Sequence, residues 1–159
     1  MVLSLIKLTL EGEHFDVVTC SSPVQALTLL PDREFAVIIS DHKMPEMMGL
    51  DFLVECRRRR PQSSRILLTA VLDLVTAVDA INRGEICRFI SKPWMKAELV
   101  SAVRDAIQRH ELACQNLKLQ AEASRRNEEL IASNRALQAR VAELERRPIQ
   151  PAEPVPAGR

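Results

Sequence analysis

The stretch Ala36-Val-Ile-Ile-Ser-Asp-His-Lys-Met-Pro45 constrains the fold more than any other part of the chain. Four apolar residues, Ala36 to Ile39, run without interruption into Ser40 and Asp41. A short unbroken apolar run suits a strand buried on both faces, as in a parallel sheet. Asp41 then falls at the carboxyl end of that strand. In open α/β sheets that edge is where ligands bind. A carboxylate there is half-buried, approachable from one side, and a candidate nucleophile for a phosphoryl group. The plainer reading of the same residue is a turn or helix-capping aspartate.

The flanking sequence alternates in type. Residues 1–11 read as a helix with Leu3, Ile6 and Leu10 on one face, stopped at Gly12. Phe15 to Thr19 reads as a strand. Ser22-Pro23 starts a helix, the serine capping free amides and the proline fitting the first turn, with Leu27 and Leu30 facing in and Pro31 ending it. Beyond the Asp41 strand, Pro45 and Gly49 bracket a loop. Leu50, Leu53 and Val54 then give one face of a helix that ends in Arg57–Arg60 before Pro61. Ile66 to Thr69 is a further buried strand. Asp73 caps a helix with Leu74, Val78 and Ile81 on one stripe, closed by Gly84. Ile86 to Ser91 is the last strand, and a long helix starts near Met95 with Leu99, Val103 and Ile107 inward. Such alternation builds a parallel sheet with helices on both faces. A strand would be expected before the first helix, and the sequence does not hold one.

Asp41, Thr69 and Lys92 each follow an apolar strand directly. In a parallel sheet those three strand ends lie side by side, so the side chains converge although far apart in sequence. The set suits a phosphoryl group: a carboxylate attacks, a hydroxyl donates to a phosphate oxygen, and an ammonium neutralises charge. Ala70 is small and leaves room beside Thr69. Lys92-Pro93 predicts a tight turn, compatible with a cis peptide, that aims the ammonium inward.

With Asp41-His-Lys-Met-Pro45, Gly49, Leu67-Leu-Thr-Ala70 and Phe89-Ile-Ser-Lys-Pro-Trp94, the chain resembles the receiver domain of bacterial two-component response regulators over about residues 1–110. The resemblance implies a flavodoxin-like, doubly wound α/β fold with parallel strands in the order 2-1-3-4-5. It implies that Asp41 is the phosphoacceptor, Thr69 the switch hydroxyl and Lys92 the phosphate-contacting lysine, with Ala70 beside them. Phe89 would be the switch aromatic, and the backbone carbonyl of Lys43 a magnesium ligand together with Asp41. A sensor histidine kinase would be the partner, magnesium the cofactor and the cytoplasm the compartment. The wording Ile81-Asn-Arg-Gly-Glu-Ile-Cys-Arg-Phe89 is most similar to receivers joined to a cyclic-di-nucleotide phosphodiesterase or to a transcription-control module.

One departure from the family pattern matters most. The family begins with a strand ending in two acidic residues that hold magnesium beside the phosphoacceptor, whereas Met1 here falls inside the first helix. Glu11 and Glu13 lie toward the opposite edge of the sheet and do not substitute. Magnesium needs near-octahedral oxygen ligation, usually from one or two carboxylates plus the phosphate itself, so affinity with Asp41 alone should fall steeply. The absent strand also belongs at the centre of the implied sheet. Its loss leaves Phe15–Thr19 without a neighbour and the Asp41 strand with an open apolar edge, which invites pairing with another chain. Either the true protein begins further upstream, the preferred explanation, or the receiver is degenerate. The expectation is that this chain does not take up phosphate from a small-molecule donor with magnesium, whereas a version extended upstream does. Two functions follow: a receiver phosphorylated on Asp41 that signals through its last helix, or a phosphorylation-independent dimerisation or adaptor module.

Composition narrows the field. A formal net charge of +1 gives no bulk pull toward nucleic acid or membrane. The four cysteines, Cys20, Cys56, Cys87 and Cys114, show neither disulfide nor zinc spacing and read as reduced thiols. No apolar run reaches membrane-spanning length, and the apolar start lacks the basic leader and cleavage site of a signal peptide. Arg57–Arg60 reads as a solvated helix end, where cations complement the dipole, ahead of a nucleic-acid patch. His42 reads as a loop residue and Trp94 as packing at the start of the last helix. An enzyme is not indicated: the phosphotransferases built on D-x-D-x-T need a second aspartate, and Lys43 stands at that position. No glycine-rich phosphate loop appears either.

Residues 106–147 contain neither glycine nor proline and are rich in helix formers. Leu130, Asn134, Leu137, Val141 and Leu144 step by 4, 3, 4, 3, a heptad seam. Leu112, Asn116, Leu119 and Ala123 keep the same step, and joining the two runs through Asn127 needs a four-residue stutter. The seam predicts a parallel coiled-coil homodimer, with Asn134 fixing register. Residues 148–159, carrying Pro148, Pro151, Pro154 and Pro156, read as a disordered tail.

Overall fold

The computed structural model describes residues 2–70, 74–83 and 85–146. These residues form five helices, α1 (Val2–Glu11), α2 (Pro23–Leu29), α3 (Gly49–Arg59), α4 (Leu74–Asn82) and α5 (Lys96–Glu145), and three strands, β1 (Val37–Asp41), β2 (Ser64–Thr69) and β3 (Arg88–Ser91). The strands form one parallel sheet in the order β1-β2-β3. The Asp73 cap, the Gly84 stop, Arg147 and the 148–159 tail lie outside the described residues.

Two compact units divide the chain, Met1–Asn116 and Leu117–Arg159. In the first, β2 sorts its side chains by strand alternation. Ile66 and Leu68 face one layer with Ile90, Ile6 and Leu10 of α1, and Leu99, Ala102, Val103 and Ala106 of α5. Leu67 faces the other with Leu27 and Leu30, Phe52, Leu53 and Cys56 of α3, and Ala77 and Ala80 of α4. The α/β architecture with helices on both faces is therefore as the alternation implied.

Three expectations need correction. Phe15–Thr19 forms no strand: a strand exists by its ladder, and no strand among the described residues pairs with this segment. Burial still alternates along it, Phe15 and Val17 packing on the α1/α5 layer while Asp16 and Val18 stay exposed. On α4, Ala77 and Ala80 are fully buried, and Val78 and Ile81 are exposed at 46% and 37%. Small side chains let α4 approach the sheet closely, and an apolar pattern on every side of a helix does not choose a face. Leu3 on α1 and Val54 on α3 are likewise exposed, and the buried face of α3 is Gly49, Phe52, Leu53 and Cys56.

The local signals at the helix ends mostly hold. The Ser22 side chain accepts from the Gln25 amide at 3.4 Å, with Pro23 opening α2. α1 ends before Gly12, but the left-handed residue of its exit turn is His14, at φ 67°. The arginine run closing α3 is fixed within the fold. Arg60 donates from Nε to the Leu30 carbonyl at 2.7 Å and from an Nη to Pro31 at 2.8 Å, and Arg59 reaches the Leu27 carbonyl at 3.3 Å. These bonds satisfy carbonyls orphaned at the end of α2. Arg59 also bonds Glu55 at 2.9 Å and holds its carboxyl below the ordinary value.

In the second unit every described residue from Leu117 to Arg146 is exposed, including the seam positions Leu119, Leu130, Leu137, Val141 and Leu144. No helix among the described residues is long and apolar enough to cross a membrane.

Candidate functional site

The site forms where the three strands end. Ladder pairing places Asp41 beside Leu68 and Thr69 beside Ser91. Hydrogen bonding continues one residue further on each side: the His42 amide donates to the Leu68 carbonyl and the Lys92 amide to the Thr69 carbonyl, both at 2.8 Å. The chain therefore cannot diverge until it has delivered Asp41, Thr69 and Lys92 to one rim. The Lys92-Pro93 peptide is cis.

The acid and the amine meet across 51 residues of sequence: Lys92 Nζ lies 2.5 Å from Asp41 Oδ2. Lys43 donates its backbone amide to the other carboxylate oxygen, Oδ1, at 3.3 Å. Both side chains are about one-third exposed, 32% for Asp41 and 29% for Lys92. The carboxylate is thus oriented by two donors and open to solvent on its remaining side. Thr69 is buried at 1% and donates to the Ala70 carbonyl at 3.3 Å, and Ala70 itself is exposed. Phe89 pairs with Leu67 along the ladder and packs half-buried against the α2–α4 layer. Asp41, Thr69, Ala70, Lys92 and the Lys43 backbone all belong to this rim. Phe89 sits two residues before the β3 end.

Sequence reading missed two contributors. Gly49, which the sequence suggests only as a loop bracket, is pressed against the end of β1: a Cβ there would lie 1.8 Å from the Asp41 carbonyl oxygen, and its amide donates to His42 O at 2.8 Å. The signal was present as the Pro45–Gly49 spacing, but close backbone approach cannot be read from spacing. His42, taken as a loop residue, is 8% exposed, and its Nδ1 has no hydrogen-bond partner.

The residues at the rim do not fit a chelated magnesium ion. Among the described residues no group of three acidic, histidine or cysteine side chains could hold a metal. Asp41 brings one carboxylate, and both of its oxygens accept hydrogen bonds. The remaining candidates are engaged elsewhere: Glu11 with Lys7, Glu13 with Lys96 and Arg104, and Glu46 with the Ser22 hydroxyl. A hard cation wanting six oxygens finds too few of them.

Comparison with known proteins agrees with this geometry. The family model of the response regulator receiver domain matches residues 1–104. The hydrogenase transcriptional regulatory protein HoxA of Cupriavidus necator is 35% identical over 96 residues, covering 60% of this chain and 20% of that protein. The transcriptional regulatory protein GlrR of Escherichia coli is 34% identical over 107 residues, covering 67% and 24%. The chain thus spans about a fifth to a quarter of the length of these relatives. Among solved structures, a response regulator receiver domain protein from Clostridium thermocellum superposes with a TM-score of 0.66 at 33% identity, covering 70% of this chain and 89% of that one. An adenylate cyclase structure from Rhodopirellula baltica gives 0.71 at 31%, covering 74% and 87%. A family model that matches residues 1–104 of the 159, and a rim that gathers acid, hydroxyl and amine, together place this protein in the response regulator receiver domain family.

Proposed function

We propose that Asp41 accepts a phosphoryl group from a sensor histidine kinase, and that the state of this rim is passed through Thr69, Phe89 and α5 to the helical segment 106–147. The observation that supports this reading is the Asp41–Lys92 pair. An ammonium already seated on the nucleophile's carboxylate can stay with the phosphoryl oxygens once the bond forms, offsetting their charge. Attack by a carboxylate oxygen of Asp41 on phosphorus would break the phosphorus–nitrogen bond of a phosphohistidine. The phosphoryl passes to the aspartate as an acyl phosphate, and the donor imidazole takes up a proton. Thr69 would then turn its hydroxyl from the Ala70 carbonyl to a phosphate oxygen. Transcriptional regulators among the relatives make control of transcription the output most in keeping with this reading, with a homodimer through 106–147 as its assembly.

The poor fit for magnesium favours a second reading, a receiver used as a phosphorylation-independent adaptor. Phosphotransfer assays separate the two. With a small-molecule acyl phosphate and magnesium, residues 1–159 should remain unlabelled. A form extended upstream by an apolar strand ending in two acidic residues should be labelled on Asp41, and Asp41→Asn should abolish the label. Rapid labelling of the chain as it stands would overturn the metal argument. Absence of label in both forms would leave the adaptor.

A further inference from the structure

The four thiols differ in what faces them. Cys20 donates from Sγ to the Ser22 carbonyl at 3.2 Å, and Cys87 to the Arg65 carbonyl at 3.0 Å. A carbonyl oxygen accepts a thiol's hydrogen bond but cannot take its proton. Cys56 is fully buried in the core. Cys114 faces a base: its Sγ lies 3.7 Å from Nε2 of His110, one turn earlier on α5. The other ring nitrogen, Nδ1, lies 2.8 Å from the Gln62 carbonyl oxygen. A carbonyl has no proton to give, so Nδ1 carries the hydrogen and donates it. In the neutral imidazole Nε2 is then the bare nitrogen, and it is the one nearer the sulfur. Both side chains are partly buried. A thiol, a base beside it, and a third group that fixes the tautomer of the base make the arrangement that activates a nucleophile.

From this geometry we infer that Cys114 is a modification site, a thiol that exchanges with a small disulfide of the glutathione class, with His110 as the base that carries the proton. In the step, His110 Nε2 takes the proton from Sγ as the sulfur attacks one sulfur of the disulfide. A new S–S bond forms to Cys114, and the old one breaks with its electron pair on the leaving sulfur. The imidazolium returns its proton to that sulfur, which departs as a thiol. One thiol and one disulfide become one mixed disulfide and one thiol, so the disulfide itself is the only oxidant. A second thiol of the reducing form reverses the step. Zinc is a poorer occupant. It takes four ligands in a structural site, and among the described residues no third acidic, histidine or cysteine side chain joins these two. A disulfide between two copies is also disfavoured, because Cys114 stands roughly half a turn round the helix from the seam positions Leu112 and Asn116. Gln62 lies two residues before β2, at the opposite end of the strands from Asp41. The adduct therefore forms beside the bond that ties this turn of α5 to the amino-end rim of the sheet, and it does not depend on phosphoryl uptake at Asp41.

The reduced full chain, 1–159, can be incubated with glutathione disulfide near neutral pH and the adducts located by mass mapping of its peptides. The adduct at Cys114 should form at least about tenfold faster than at Cys20, which is also partly buried. The variant His110→Asn can still donate an amide hydrogen to Gln62 but offers no base. In it the rate at Cys114 should fall by at least about tenfold, with the rate at Cys20 unchanged and Cys56 still unreacted. A parent chain in which Cys20 reacts as fast as Cys114 would overturn the proposal. So would a His110→Asn rate at Cys114 that is unchanged or faster, since exposure alone would then set it, and so would a fall shared equally by Cys20. Disulfide-linked pairs of chains in place of the mixed disulfide would overturn it in favour of a second copy.

Discussion

Ile39 and Ile66 are the same residue type, sit opposite each other on the β1–β2 ladder and face the same layer. Ile66 is fully buried, as are its neighbours throughout β2, whereas four of the five residues of β1 are only partly buried. In the sequence both strands hold an unbroken run of three apolar residues, Val37–Ile39 and Ile66–Leu68, followed by a polar one, and that pattern does not separate them. The difference lies in what stands beside each. β2 has a strand on both sides, and β1 has a strand on one side and, on the other, an open cavity lined by residues 15–20. Apolarity expresses a demand for burial, and topology decides whether it is met.

The most forceful way to break this comparison is to truncate each partner. Ile66→Ala should cost about 2–5 kcal/mol of unfolding free energy, and Ile39→Ala about 1–2 kcal/mol, because less surface is withdrawn from water there. Chemical denaturation of the two variants reads the difference directly, and equal losses would mean that β1 is sealed in solution. Cys56 sharpens the β2 side. It is fully buried in the layer that holds Leu67, and burial pushes its thiol up to about 12, against a smaller downward pull from Arg65 and Arg59. An unfolded chain releases that proton near pH ~8.5, so above that pH the folded state holds more protons and stability falls as pH rises toward 12. The loss should be roughly 1 kcal/mol per pH unit between about 9.5 and 11, and a Cys56→Ala variant should lack this component. At pH 8 a thiol reagent should reach Cys20, which is only partly buried, long before Cys56. The smallest effect is expected where no burial exists at all. Leu137→Ala on the exposed seam should leave the unfolding of the first unit within about 0.5 kcal/mol of the parent, while shifting sedimentation of the chain from dimer toward monomer. A clean monomer in the unaltered chain at high concentration would remove the basis for the coiled coil.

Much of the fold was legible because several signals coincide at single residues. Ser22-Pro23 is both a cap and a first-turn proline, and the helix begins there. Ala36 to Asp41 and Ile66 to Thr69 each combine an unbroken apolar run with a polar terminus, and both are strands. The rim was legible for the same reason, since each of its three groups ends such a run, and the cis peptide fell where Lys92-Pro93 suggested a tight turn. What failed to be legible depends on neighbours distant in sequence. The face of α4 is chosen by how closely the sheet must be approached, which favours Ala77 and Ala80 over larger residues. Residues 15–19 have the burial alternation of a strand and lack only a partner. The burial of His42 and the pressure of Gly49 on Asp41 arise from two loops crossing, and no local pattern encodes that.

The crossing at Gly49 has a reach beyond its own turn. Position 49 opens α3, yet the atom it would strike belongs to Asp41, so the helix and β1 share a single hydrogen's worth of clearance. A methyl group introduced there would be felt as a displaced Asp41 before it was felt as a damaged helix, and a random survey of substitutions would score this chemically inert residue beside the acid itself.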